Sequence, residues 1–328
     1  MNDTYDRKVE QQIKQYENGI DTFPLPEIFH YWSHTYLRPK IQSVFGKESG
    51  TEFYASQFAE LAQGSRLQNI VSIGSGDGSQ EIEITRALLE KQIRGFKFIG
   101  LELNPNLVKQ ANSTAAAVGV AEFFSSVVFD LNKSDLEIDV DAFIAHHSLH
   151  HVLELEHLLD LVDRKMSPHG VFIIEDMIGR NGHMRWPETL AIVEALWAVL
   201  PTSKKYHHQL KRTMLSFENF DCSSEGFEGI RAQDILPLLI ERFSFTKFVG
   251  AGGLIEVFVD RGFGPNYNPA VAGDRVFVDV VHAFNESLLD SGVIKPTMIF
   301  ATLAKKSNRS HCATYKSQTP YFCLRKPT

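Results

Sequence analysis

The sequence predicts an α/β protein: a doubly wound, mostly parallel seven-stranded sheet, with helices leading in at the N-terminus and a helical cap inserted late. Two observations carry this. Between 68 and 178, short β-branched or aromatic runs alternate with helix-patterned segments. At 71–79, the apolar run Val-Ser-Ile ends in Gly-Ser-Gly-Asp-Gly-Ser, three glycines at alternate positions that open directly into a helical pattern. Strands that each need a helical crossover to reach the next lie parallel, with helices on both faces.

The elements follow in order. Residues 1–66 read as an N-terminal helical segment, with Phe29, Trp32, Tyr36 and Leu37 at helical spacing, a pattern of core or lid packing. The core spans 67–178. NIVSIG (69–74) is strand one and SQEIEITRALLEKQ (79–92) a helix; FKFIGLEL (96–103) is strand two, followed by a helix with Pro105 in its first turn. FFSSVVFD (123–130) is strand three and DAFIAHHS (141–148) strand four; ELEHLLDLVDRKM is a helix ended at 167–170, and VFIIEDM (171–177) is strand five. The rhythm breaks over 179–240, a helical cap containing TLAIVEALWAVLP and RAQDILPLLIERF. Residues 241–306 complete the sheet: FSFTKFVGAGG reads as a strand, LIEVFVDRGF as helix or strand, 273–291 as a helix and TMIFATLAKK as the last strand. The tail 307–328 has little periodicity and is expected to be disordered.

Composition narrows the class. Of 328 residues, 43% are apolar and 22% charged, the balance of a globular chain, and the net charge of −7 speaks against a nucleic-acid partner. The basic stretch 204–212 reads as a solvated face. Three widely spaced cysteines, Cys222, Cys312 and Cys323, give neither metal spacing nor a disulfide framework, and fit a reducing compartment. The polar N-terminus and the lack of a run of about 18 apolar residues predict a cytoplasmic protein without a membrane partner.

In open parallel sheets, ligands bind beyond the carboxyl ends of the strands. The chemistry-bearing residues stand there. The loop Gly74, Ser75, Gly76, Asp77, Gly78 lets a backbone approach a nucleoside-bearing cofactor without Cβ clashes. A dinucleotide fingerprint would need glycine at 79, where Ser79 stands. Glu102 ends strand two, where a carboxylate can accept both ribose hydroxyls. Asp130 ends strand three, where a carboxylate can accept a purine amino group, and His146 ends strand four, beside the cofactor's reactive end.

With IVSIGSGDG (70–78), FIGLELNP (98–105), VVFDLNK (127–133), DAFIAHHSLHHV (141–152) and SPHGVFIIED (167–176), the chain resembles the class I, Rossmann-like S-adenosylmethionine-dependent methyltransferases. The resemblance covers about 68–178, with TMIFATLAKK matching the family's last strand. It implies S-adenosyl-L-methionine as cofactor, S-adenosyl-L-homocysteine as product, and in-line displacement at the sulfonium methyl. It also implies that the loop, 74–78, approaches the methionine part, that Glu102 and Leu103 flank the ribose, that Asp130 and the Leu131 amide read the adenine, and that His146 lies near the sulfonium. The family often has an acid two residues before the first glycine; Ser72 stands there, a departure that bears on cofactor affinity.

The acceptor side is less specified. His147 and His150 are candidate general bases or pocket-lining groups. On a helix His147 and His151 would form an i, i+4 metal pair, yet no cysteine or H-E-x-x-H pattern completes a site, so no metal is expected. Glu175 and Asp176 could orient or deprotonate an acceptor hydroxyl, or cap the next turn. His183, Arg185 and Trp186 could grip a sugar or acid, or anchor the cap. Strand four lacks an Asn-Pro-Pro-Tyr-like ending, which speaks against amino methylation of DNA bases or glutamine. The second half loosely resembles bacterial methyltransferases acting on saccharides or secondary metabolites. The expected activity is O-methylation of a small-molecule acceptor; the rivals are a non-catalytic cofactor-binding scaffold and an aminopropyltransferase.

Overall fold

The computed structural model describes residues 24–47, 50–64, 67–224, 226–308 and 311–325, with Tyr5, Arg7, Val9 and Ile13. Most of the helical segment expected before residue 24 lies outside the described residues.

Helix α1 (Glu27–Trp32) runs through a π turn (Ser33–Leu37) into α2 (Arg38–Phe45), and α3 (Thr51–Gln63) follows. The alternating core then begins: β1 (Asn69–Ile73), α4 (Ser79–Glu90), β2 (Lys97–Glu102), α5 (Pro105–Ala117), β3 (Phe124–Val128), β4 (Val140–His146), α6 (Leu155–Lys165) and β5 (Met166–Met177). Local chemistry sets the boundaries. Pro105 occupies the first turn of α5, where its missing N–H costs nothing, and the Asn104 side chain accepts from the Asn106 amide, 2.9 Å away.

The cap holds α7 (Pro187–Val199) and a small hairpin, β6 (Tyr206–His207) with β7 (Arg212–Thr213). It closes around Trp197, whose indole N–H donates to the Met214 carbonyl and whose ring meets Phe263 edge-on. After α8 (Ala232–Arg242) come β8 (Phe243–Ala251), the short α9 (Glu256–Val259), α10 (Ala272–Asp290), β9 (Met298–Lys305), β10 (Ala313–Thr314) and α11 (Pro320–Cys323). Residues 231–243, grouped with the cap by sequence, cover the sheet instead: Ile235, Leu236 and Leu239 share a core with Leu155, Leu158 and Leu159 of α6. The ambiguous segment 254–263 turns into α9 because Asn285 of α10 accepts from the Leu254 and Ile255 amides.

The large sheet has eight strands in the order β10-β8-β9-β5-β4-β1-β2-β3, one more than expected. From β5 to β3 neighbours run parallel; β9 is antiparallel to both β5 and β8. Strand alternation divides the core. Ile70, Phe98 and Ile144 face α3 and α4, whereas Val71, Leu101, Phe143 and Ala145 face α6 and α8. The N-terminal aromatics are packing groups: Trp32 donates to His282 of α10, and the Tyr31 and Tyr36 hydroxyls both bind Asp279. Among the described residues no helix is long and apolar enough to cross a membrane.

The tail corrects its expectation. Residues 311–325 are ordered: β10 pairs parallel with β8, Gln318 and Cys323 are buried, and Arg325 binds Glu188 of α7 at 2.9 Å. A two-residue strand and a four-residue helix leave no periodicity to read. Deleting 311–328 should cost on the order of 2 kcal/mol through the lost burial, seen in calorimetry as a Tm lower by roughly 4 °C.

Candidate functional site

β1 has β2 on one side and β4 on the other, so the crossovers diverge here and leave a crevice at the strands' carboxyl ends. The glycine loop forms one lip. Gly74, Gly76 and Gly78 all have positive φ (67°, 54° and 73°). The amides of Gly74 and Ser75 both donate to the Leu101 carbonyl, tying the loop to β2. A Cβ on Gly74 would lie 2.7 Å from the Ser148 Cβ, so glycine is required by both conformation and contact. Of the loop residues, Gly74 and Gly76 reach the cleft wall. Ser75 is turned inward toward Ser126, Asp77 accepts from the Ser79 amide at the start of α4, and Gly78 packs over Ala111.

The cleft is a cavity of about 220 Å³. Glu102 and Leu103 line it from β2, Leu131 and Asn132 from the turn after β3, His147, Ser148, His151 and Val152 from the turn after β4, and Phe227 from the segment before α8. Glu102 is held rigidly: one carboxylate oxygen accepts from Gly76 at 2.9 Å, the other from Asn104 at 2.8 Å. Burial pushes its carboxyl upward, and the backbone amides only partly offset this. Asp130 does not reach the wall. Strand three ends at Val128, and the Asp130 carboxylate accepts from the Asn132 amide and the Tyr5 hydroxyl, organising the turn that presents Leu131 and Asn132.

The histidine run is split by geometry. His146, expected in the cleft, faces the Tyr54 ring and lies 3.8 Å from Glu175; burial pushes its imidazole pKa down. His147 takes the cleft position instead. Its backbone is left-handed (φ 51°), its ring is exposed, and its Nε2 lies 3.7 Å from Glu175. The surrounding protein disfavours its cation, but the Glu175 carboxylate prevails and raises its pKa above the ordinary 6.5. Leu149–His151 form a 3₁₀ turn, so His147 and His151 make no i, i+4 helical pair.

Glu175 and Asp176 are neighbours on β5 and point to opposite faces. Glu175 meets His146, His147 and the Tyr54 hydroxyl. Asp176 is fully buried and accepts from the Ser148 and Leu149 amides and from His150 Nδ1 at 2.6 Å. Burial disfavours its anion, yet these donors hold its carboxyl down at about 2. Asp176 is therefore a cap for the turn, without access to an acceptor. His150 is buried against it and turned away from the cleft, which removes His150 as a base acting directly there.

The cap residues are anchors. Arg185 pairs with Glu256 at 2.7 Å and also donates to the Gly253 carbonyl. The Trp186 ring lies under the Arg325 guanidinium, 4.2 Å from its centroid. His183 contacts Glu228 at 2.6 Å. None of the three lines the cleft.

Several site residues escaped the sequence. Tyr54, Phe227 and Glu228 come from segments without a motif. Glu81 had a signal in the unusual Ser72. The Ser72 hydroxyl donates to the Glu81 carboxylate at 2.6 Å, and Glu81 is buried beneath the glycine loop. A buried acid from the first turn of α4 thus stands against Ser72.

Residues 71–174 match a family model described as a methyltransferase domain. No curated protein sequence matches the chain. The chain is similar to the solved O-MT segment of StiE, at 12% identity over 87% of this chain and 84% of that one, with a TM-score of 0.46. It is also similar to the O-methyltransferase from the trans-AT PKS multienzyme of Brevibacillus brevis, solved with S-adenosyl-L-homocysteine, at 12% identity over 82% and 76% of the chains, TM-score 0.44. The [4+2]-cyclase SpnF gives 14% identity, 86% and 98% coverage and a TM-score of 0.41.

An antiparallel strand inserted beside β5, with a glycine loop opening on the cleft at β1, defines the Rossmann-like class I architecture. Residues 71–174 are a methyltransferase domain on that architecture, with S-adenosyl-L-methionine as its cofactor.

Burial raises the Glu81 carboxyl from 4.5 to about 7. Between those values the folded state holds a proton that the unfolded chain has released, so stability falls as pH rises through this window. Glu81→Gln should remove that slope. The variant should be more stable than the parent above pH 7, by on the order of 1–3 kcal/mol, with the difference vanishing below about pH 4.5. Denaturant titrations at pH 4.5 and 8 read it directly.

Proposed function

We propose that the chain methylates a hydroxyl of a small-molecule acceptor, a saccharide or secondary metabolite, with His147 as general base and Glu175 as the group that orients it and stabilises its cation. The observation that carries this is the placement of the pair. His147 is on the cleft wall beside Gly74 and Ser148, and Glu175 stands behind it, screened from the cleft. The residues suit the cofactor. Gly74 and Gly76 leave room for it, Glu102 presents a fixed carboxylate to the ribose, and Leu131 and Asn132 border the adenine end.

S-adenosyl-L-methionine, when bound, supplies an activated methyl group, and alignment of the acceptor oxygen is the protein's main task. His147 Nε2 takes the hydroxyl proton, and the neighbouring carboxylate compensates the imidazolium formed. Tyr54, donating to Glu175 at 3.3 Å, keeps the carboxylate from turning away. Val152 and Phe227 give the cleft apolar surface, which suits a partly apolar acceptor. The net charge of −7 disfavours polyanionic acceptors.

His147→Asn should lower turnover on the order of 10²-fold or more while S-adenosylhomocysteine binding persists. Unchanged turnover across a panel of hydroxylated acceptors would remove His147 as the base. The base works unprotonated, and Glu175 raises its pKa. The acid limb of kcat/KM therefore lies above pH 6.5 in the parent and moves to lower pH in Glu175→Gln, together with a reduced plateau.

Glu102→Ala removes a charged acceptor from the ribose and should weaken S-adenosylhomocysteine binding about 10- to 100-fold, measured by calorimetry. In a thermal-shift panel S-adenosylhomocysteine should raise Tm and NAD should not. Turnover with decarboxylated S-adenosylmethionine would instead favour aminopropyl transfer.

A further inference from the structure

Beside the cleft, on the far side of His151, imidazole and carboxylate donors from three separate segments converge. His150 and His151 come from the 3₁₀ turn after β4, His183 from the turn Asn181–His183, and Glu228 from the segment before α8. His183 Nε2 is 2.6 Å from Glu228 Oε1, His150 Nε2 is 3.4 Å from the same oxygen, and His151 Nε2 is 3.7 Å from Oε2. The His150, His183 and Glu228 donor atoms all lie within 4.8 Å of one another. A tetrahedral ion with ligands at about 2.0–2.1 Å holds its donors roughly 3.3–3.5 Å apart, so the 2.6 Å pair parts slightly and the wider pairs close in, both by small side-chain rotations.

Two further features show a built site. His150 Nδ1 is occupied by the fully buried Asp176, which leaves Nε2 directed at Glu228. A carboxylate behind a ligating imidazole is the recurrent outer shell of zinc sites, fixing the tautomer and the ring orientation. His183 is held in the left-handed region (φ 56°), next to Gly182 at φ 65°. The Gly182 amide donates to the Gly229 carbonyl at 2.9 Å, and a Cβ on Gly229 would lie 3.2 Å from the His183 ring. Only glycine at 229 leaves room for the His183 ring at this place beside Glu228, and a strained backbone of this kind persists where the surroundings impose it.

Three imidazoles gathered on one carboxylate form the nitrogen-rich donor set of a borderline-soft cation. We infer that His150, His151, His183 and Glu228 form a binding site for a divalent transition-metal ion of the zinc class, with Asp176 as its outer-shell carboxylate. The half-exposed Glu228 provides the entry path. The inference is independent of which acceptor is methylated.

The full-length protein, stripped with a chelator, is titrated with Co²⁺, and Zn²⁺ affinity is then read by competition with a chromophoric chelator. The expected result is one equivalent of Co²⁺ with the intense visible bands of a tetrahedral site, displaced by Zn²⁺. His183→Asn and Glu228→Gln should each weaken binding at least about 100-fold, more than the loss typical of an outer-shell change. His151→Gln should weaken it as well. His147→Asn, which alters the other histidine pair, should leave binding intact. The thermal shift with S-adenosylhomocysteine verifies that each variant is folded and reports separately on the methyltransferase site. Absence of stoichiometric binding overturns the inference. So does binding that survives both His183→Asn and Glu228→Gln, or that is lost in His147→Asn instead.

Discussion

The carboxylate of Asp176, buried at the end of β5, accepts from the Ser148, Leu149 and Met177 amides and from His150. An anion in that position is tolerated only because four donors surround it, and it in turn dictates the path of the chain leaving β4. With Ser148 and Leu149 fixed, Ser148 packs against Gly74, His147 is placed on the cleft wall, and the far nitrogen of His150 turns toward Glu228. The neighbouring Glu175 is carried to the opposite face by strand alternation, where it meets His146, His147 and Tyr54. Two adjacent acids thus organise two different histidine clusters.

The cofactor side follows a related logic of backbone donors and buried acids. The loop amides bind Leu101 and Glu102, so the loop and the end of β2 form one unit. Glu81, reached through Ser72, places a further carboxyl under that unit at the expense of a raised pKa.

Much of the fold was legible because its signals are local. β1, β2, β4 and the middle of β5 (171–174) are largely apolar runs, as strands covered on both faces must be. The glycine loop and Glu102 could be found by position, since a strand end has one geometric meaning in a parallel sheet. Asp130 shows the limit: two residues beyond its strand, its carboxylate serves the turn rather than the cleft. Arg185 and Trp186 were chemically plausible for an acceptor, but Glu256 and Arg325, distant in sequence, claim them. The ordered tail, too short in its elements to show a period, takes its structure from β8 and α7.

By itself the sequence determined the sheet, the glycine loop and the carboxylate that faces it, because burial periodicity and backbone freedom are properties of neighbouring residues. Only the tertiary structure decided which histidine reaches the cleft. That choice depends on which face each of Glu175 and Asp176 presents and on the turn that Asp176 caps. It also decided that His183 and Glu228 meet His150. These side chains stand 33 to 78 positions apart in the chain, and their convergence follows from crossovers and a glycine-to-glycine contact that leave no period in the sequence.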